Sequence, residues 1–447
     1  MKRKVFLILL AVCLGLSACQ AGHMAGSNAS ANPENSGKNG DSTAASDTEA
    51  AADSTEATTE PSAEATTEAP TEPATEPVLP ELPEGEGLGL NSLDSGLIAY
   101  LRANGLEETS FTVSPLSLKA ALALTALGAE EETQRQLLDV LGFQTVQELS
   151  EWYASVLVGV ADFDGRIFGE DKQDSAYRVV NAIFHNADCD GEFRDTYKEL
   201  VAQKLAAQAS SYPAAEITRS INQWVSDQTA GMIPSIVQDA SKSAAVLVNA
   251  LYLKTKWIEP FEESELTDFT TVHGQTVQKE FITKTDSFPY YADEDCQMVV
   301  VSLQGGVRMA LILGDGTNLN EKLQSAKTRR VCVTLPKFNV ETSLDKKELV
   351  NYLIASGCEL PFVDGGAQFD PMFTKELFVD DIIQKAKVKV DEKGLEAAAA
   401  TAVIMTRATA MPNPEQPVDF TADRPFQFVI FREDAAPELL FWGQVMD

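Results

Sequence analysis

The alternation of apolar and polar positions is clearest near the carboxy terminus, where it then changes character. Val388 and Val390 set against Lys389 and Asp391 have the period of two that predicts a half-buried strand. The pattern breaks at Gly394 and runs on through Ala397, Ala398, Ala399, Ala400 and Thr401. A period of two puts Leu395, Ala397, Ala399, Thr401 and Val403 on one face, and Glu396, Ala398, Ala400 and Ala402 on the other. The first face is small or apolar throughout, and the one charge falls on the second. That suits a segment able to become a central strand buried on one side. Taken alone, the run from Glu396 to Ala400 also reads as a surface helix, because Ala is the best helix former. Downstream, residues 406–418 hold Pro412, Pro414 and Pro417 and cannot join a ladder in the same way.

Elsewhere the pattern predicts helices early and strands late. Ser114-Pro115 is a helix cap followed by the favoured first-turn proline, and Gly128 is the stop. The run from Leu116 to Leu127 is apolar on nearly every face, so this helix should be deeply buried. A second helix, Glu131 to Leu141, should end at Gly142. Val246 to Leu253 and Arg308 to Leu313 are buried strands by length and β-branched content. Arg330 to Val340 alternates around Pro336, and Gln427 to Phe431 and Leu439 to Phe441 close the chain as strands. No regular strand–helix–strand alternation occurs, which argues for an α+β fold.

Composition then divides the chain. Lys2-Arg3-Lys4 followed by the apolar run Val5 to Leu16 reads as a signal segment, too short to span a membrane. It ends Leu16-Ser17-Ala18-Cys19, similar to a bacterial lipobox, so residues 1–19 are expected to be a lipoprotein signal with Cys19 as the lipid attachment site; a plain cleaved signal is the alternative. Residues 20–88 are rich in Ala, Thr, Ser, Pro and Glu. Within them, residues 21–87 carry 14 acidic side chains against Lys38 alone. Such a stretch buries too little to fold and reads as an extended stalk. At about 5–6 Å × √n it could hold a domain ~45 Å from a surface. The remainder, 89–447, is one domain with a net charge of −22, which argues against nucleic-acid or heparin-like partners. An acidic surface would suit a basic enzyme, though it would serve solubility equally well. Cys189, Cys296, Cys332 and Cys358 have no metal-ligand spacing and are expected to be buried free thiols.

Over roughly Leu90 to Asp447 the chain resembles the serpin family. Four separated blocks carry the likeness in order: Phe111 to Leu118 with the helical run after it; Ile221-Asn222-Gln223-Trp224-Val225 with Thr229, Ile233 and Pro234; Val246 to Phe261; and Phe420 to Phe426 with Glu438 to Gly443. The resemblance implies three β-sheets, a helical half and an exposed reactive-centre loop between Gly394 and about Phe420. It implies an irreversible suicide-substrate inhibitor of serine proteases, not an enzyme. A protease cuts the loop, forms an acyl-enzyme, and is carried away as the loop inserts into the main sheet.

The family's residues carry over one at a time. Glu392, Gly394, Leu395, Glu396, Ala397, Ala398, Ala399, Ala400 and Thr401 match the hinge. Ser114, Ser117 and Asn249 match the polar cluster that controls sheet opening, and Gln384 stands where a His is usual. Its amide can both donate and accept, without an imidazole's response to pH. Trp257 matches the site of first insertion, braced by an ion pair of Lys337 with Glu392. Leu395 stands where inhibitory members prefer Thr or Ser, and its bulk is expected to slow insertion. Counting from Gly394 places the reactive bond at Ala408–Thr409, which fits an elastase-like pocket. Arg407 is the alternative and would suit a trypsin-like enzyme. No cofactor or metal is expected, and the domain is expected to be a monomer held at a bacterial cell surface by its lipid. The rivals are a non-inhibitory serpin with a binding role and a surface enzyme. The enzyme finds little support: no G-x-S-x-G elbow occurs, and His185 and His273 read as structural.

Overall fold

The computed structural model describes residues 92–395, 416–432 and 438–447. Cys19, the stalk and the loop positions Glu396 to Thr401, Arg407, Ala408 and Thr409 lie outside the described residues. Within them are eight α-helices: α1 Ser92–Leu101, α2 Pro115–Ala126, α3 Glu131–Leu141, α4 Val146–Gly165, α5 Asp195–Leu205, α6 Ala214–Gln228, α7 Leu319–Ser325 and α8 Leu349–Ala355. Fifteen strands accompany them. The first eight are β1 Phe111–Val113, β2 Ala176–Asn186, β3 Gln208–Tyr212, β4 Ala245–Lys256, β5 Glu262–Thr270, β6 Thr276–Ala292, β7 Cys296–Ser302 and β8 Val307–Gly314. The rest are β9 Lys327–Pro336, β10 Phe338–Leu344, β11 Asp381–Val390, β12 Gly394–Leu395, β13 Val418–Thr421, β14 Phe426–Arg432 and β15 Glu438–Val445.

The main sheet has six strands in the order β10-β11-β12-β4-β2-β3. The second hydrogen-bonded network has nine, β1-β15-β14-β8-β7-β6-β9-β13, with β5 on β6. The resemblance leads one to count two sheets there. They are joined because β6, seventeen residues long, pairs with β9 through Phe281–Tyr290 and turns at its end onto β7 through Tyr290–Ala292. The single residue Lys337 separates β9 from β10, so the chain crosses from one network to the other there. The loop is shorter at both ends than the sequence suggests. Gly394 and Leu395 already belong to a strand, and Val418 begins another.

α2 is buried at all twelve positions, as its apolar composition predicts, and the Ser114 side chain caps it by accepting from the Ser117 N–H at 3.3 Å. Its one cation, Lys119, is held by Asp94 at 3.1 Å and Glu438 at 3.3 Å, while the Trp152 indole N–H donates to Glu438 at 2.7 Å. That cluster ties α1, α2, α4 and β15 together. Burial opposes the charge on Lys119, but the two carboxylates prevail and raise its pKa. The other face of the main sheet is covered by α6, whose Ile217, Ile221 and Val225 meet Val180, Phe184, Val246 and Val248. Asn222 fastens the segment after α6, accepting from the N–H groups of Ile236 (2.8 Å) and Val237 (3.0 Å).

The four domain cysteines are free thiols, but only Cys296 and Cys358 are buried; Cys332 is half-buried and Cys189 is exposed. His185 is buried against Phe193 and Phe373, and His273 is exposed.

At the start of β11, burial, followed by repulsion from Asp345 and Asp380, raises the Asp381 carboxyl to about 6. A folded pKa raised above 3.8 means that this group's favourable contribution is full below pH about 3.8 and is lost as pH rises through about 6. Asp381→Asn should therefore stabilise the domain at pH 7.5 by ~1–2 kcal/mol, after discounting for solvent screening, and give no gain at pH 4. Thermal unfolding at the two pH values checks this; an equal shift at both would contradict it.

Candidate functional site

The site is the seam between β4 and β11, the two central strands of the main sheet. They are parallel, and they pair directly only at Asp381↔Val246, Ile382↔Leu247, Ile383↔Val248 and Gln384↔Asn249. Above that point no pair links Ala250–Lys254 to Lys385–Lys389. The gap closes again where β12 lies between them, with Leu395 opposite both Val390 and Thr255, and Gly394 opposite Lys256. The start of the loop is therefore already seated in the sheet, antiparallel to both neighbours.

At the lower end the paired stretch is tied to α2. The Gln384 amide oxygen accepts from the Ser114 N–H at 3.1 Å, and its amide N–H donates to the Ser114 carbonyl at 2.9 Å. One side chain thus bridges the strand and the helix cap, using both functions of the amide. Asn249 turns the other way and donates to the Asn181 side-chain oxygen, while Asn181 donates to the Tyr153 hydroxyl at 2.9 Å. The structure brings Ser114, Ser117, Gln384 and Asn249 together, all buried. It adds Asn181 and Tyr153, which sequence reasoning missed. Asn181 could have been found, since it interrupts the apolar run Val179-Val180-Asn181-Ala182-Ile183. Tyr153 gives no such signal.

At the upper end Asp391 to Gly394 form a tight turn. The Asp391 carboxylate accepts from the N–H groups of Lys393 (2.8 Å) and Gly394 (3.2 Å), and the Asp391 N–H donates to the Gly394 carbonyl at 3.1 Å. Gly394 sits at φ +152°, and a Cβ there would stand 2.3 Å from the Thr255 carbonyl oxygen, so no other residue fits this backbone. Trp257 binds the turn: its indole N–H donates to the Asp391 carbonyl at 2.9 Å, and its backbone N–H to the Lys393 carbonyl at 2.9 Å. Phe261, whose ring packs on Trp257, donates its N–H to the Glu392 carbonyl at 2.8 Å.

Lys337 and Glu392 form the expected ion pair at 3.0 Å. Lys337 also meets Glu263 at 2.7 Å and Glu280 at 3.6 Å, neither of which the sequence pointed to. Burial works against the Lys337 charge, but its bonds to Glu263 and Glu392 outweigh that and raise its pKa. For Glu392, burial pushes upward and the Lys337 bond prevails, holding the carboxyl below its ordinary value.

Leu395 is 3% exposed. With Leu253, Val388, Met232, Ile430 and Phe441 it lines a crevice of about 10 Å³, at the lower limit for one water. Its bulk is thus accommodated before any cleavage.

Residues 97–447 match the family model described as serpin (serine protease inhibitor). The chain is similar to Serpin-ZXA of Oryza sativa subsp. japonica, at 33% identity over 368 residues, covering 75% of this chain and 89% of that one. It is similar to leukocyte elastase inhibitor A of Rattus norvegicus, at 29% identity, covering 74% and 91%. Among solved structures, the thermophilic serpin tengpin in its native state aligns with a TM-score of 0.66 at 24% identity, covering 76% and 88%. Thyroxine-binding globulin in complex with thyroxine aligns at 0.65 and 19%, covering 78% and 95%. At these identities the two structures speak to the fold.

Gln384→Leu keeps the volume but leaves the buried Ser114 N–H without its partner, while the Ser114 carbonyl keeps the Leu118 N–H at 3.2 Å. One unsatisfied buried group should lower stability by ~1–3 kcal/mol and the unfolding midpoint by several degrees. An unchanged midpoint would show that the bridge carries no load.

Proposed function

The chain belongs to the serpin family, and from that membership we propose that it is an irreversible suicide-substrate inhibitor of serine proteases, with a preference for elastase-like enzymes. The single observation that carries this reading is the seam. A sheet whose central strands part above four pairs, with two residues of the loop already between them, has room for a strand and has begun to accept it.

In the proposed reaction the protease's serine oxygen attacks the carbonyl carbon of Ala408. The Ala408–Thr409 bond breaks, the Thr409 amine leaves with a proton, and an acyl-enzyme remains. Freed at one end, the residues after Leu395 continue the strand that β12 begins. About fifteen residues, each gaining a net hydrogen bond of ~0.5–1.5 kcal/mol, would release on the order of 10 kcal/mol before any packing gain. That is comparable to the stability of a whole domain. It is enough to drag and distort a protease before water completes the reaction.

The small residues around the bond, Thr406, Ala408, Thr409 and Ala410, support an elastase-like target, and the name of the rat relative agrees with it. Arg407 is the competing specificity residue. A non-inhibitory member with a binding role is the rival reading, favoured by the fold likeness to thyroxine-binding globulin. We place the inhibitor at a cell surface, monomeric, carried on the stalk and anchored through Cys19. No cofactor or metal enters this chemistry.

Incubation with an elastase-like enzyme should give an adduct that survives denaturing electrophoresis, and mass spectrometry should find a released fragment beginning at Thr409. Thr401→Arg, which puts an unpartnered charge on the inward face at a cost of several kcal/mol, should be cut at the same bond and trap nothing. A fragment beginning at Ala408, with trypsin trapped faster than elastase, would move the specificity to Arg407. No adduct across a panel of serine proteases would favour the binding reading.

The anchor has its own test. Cys19→Ala should move the protein from the membrane fraction to the medium; continued membrane association would point to another anchor.

A further inference from the structure

The domain is strongly acidic, yet β9 opens with Lys327-Thr328-Arg329-Arg330, all exposed. Three cations in four residues is the densest positive run in the domain. None of the three pairs with a carboxylate among the described residues, whereas Lys385 and Lys387 on β11 both bind Glu341. Among the described residues the run is also paired on one side only. On one side it pairs with Ser287–Tyr290 of β6. On the other, the ladder begins only at Val331, opposite Val418, and Pro417 just before it has no N–H to extend the pairing.

Charged side chains on an edge strand blunt it against aggregation. The position of this run suggests a further use. β13 is the strand by which the loop returns to the body, and the cationic run continues the line of its partner strand past the point where the loop leaves. The candidate bond lies nine residues upstream of Val418, a reach of at most ~30 Å. That chain length keeps a protease seated on the bond within reach of this edge. A long polyanion is a poorer fit, since three cations offer it a short footprint and the surrounding net charge repels the rest.

We propose that Lys327, Arg329 and Arg330 form an accessory docking ridge for a target protease whose surface beside the active-site cleft is acidic. This rests on the inhibitor reading above. The ridge acts on the encounter: it steers and orients the enzyme, and leaves the insertion step untouched.

The test uses the full chain, its variant Arg329→Glu/Arg330→Glu, and two proteases of matched specificity, one with an acidic surface and one with a basic surface. Two rates are read, cleavage of the loop and formation of the covalent adduct. At low salt the variant should be cut and trapped about tenfold more slowly by the acidic enzyme, and no more slowly by the basic one. The difference should shrink as salt rises, with the unfolding midpoint and the number of inhibitor molecules consumed per enzyme unchanged. Equal rates for parent and variant with the acidic enzyme would overturn the ridge and leave the inhibitor reading standing. Equal rates together with loss of retention on a sulfated polysaccharide would overturn it in favour of a polyanion. Slower cleavage of the variant with no adduct from either protein would uphold the ridge and overturn the inhibitor reading. Neither cleavage nor adduct with either enzyme would overturn both.

Discussion

β4 and β11 run parallel with only four residues of each in direct register, and the other features of the site are arranged around that shortfall. Each strand forgoes about five ladder positions above Gln384 and Asn249. Backbone groups left without partners are costly, so such a gap persists only if both ends are held. The lower end is held by Gln384, which spends both functions of its amide on the cap of the most deeply buried helix. The upper end is held by the Asp391–Gly394 turn, which Trp257 and Phe261 grip through backbone carbonyls. Between them Leu395 fills the space that a longer strand would fill.

The two ends differ in chemistry. At the lower end the side chains that bridge Ser114 to Gln384 and Asn249 to Tyr153 are neutral amides and hydroxyls, and the carboxyl in the paired stretch is Asp381. The upper end is charged. Lys337 faces three carboxylates, Glu263, Glu280 and Glu392, and can neutralise one. Glu392 shares that cation with its two neighbours, and Lys393 faces it as well at 3.9 Å.

The fold was legible where a local rule had no competitor. Ser114-Pro115 opens a helix because its cap and first turn need those residues, and twelve residues without a polar face can only be buried. The ion pair of Lys337 with Glu392 and the two-way amide of Gln384 follow the pattern that the serpin resemblance implies. What stayed hidden depends on distant parts of the chain. Glu263 and Glu280 reach Lys337 only because β5 and β6 fold beside it, and nothing in their own neighbourhoods marks them. Tyr153 lies on a helix far from Asn181 in sequence. Gly394 and Leu395 read as the beginning of a loop because a two-residue strand is too short for periodicity to register. The thiols show the same limit: strand-like alternation buries Cys332 only halfway, because the far side of its strand faces solvent.

The direction of β12 has a consequence for what the sheet can become. Wherever a strand follows β12 downward it runs antiparallel to both neighbours, so extending it exchanges one parallel pairing for two antiparallel ones, the more favourable ladder per residue. That exchange requires Gln384 and Asn249 to part, and both are polar. Apolar side chains across that junction would bind it by an area-dependent force that resists separation at every step. Amides and hydroxyls can instead trade one partner for another as the junction opens, so the barrier there is a sequence of small substitutions. Below that polar pair the character changes: Ile383 beside Val248 and Ile382 beside Leu247 are buried and apolar, so parting would be easy at the first step and resisted by buried area at the next two.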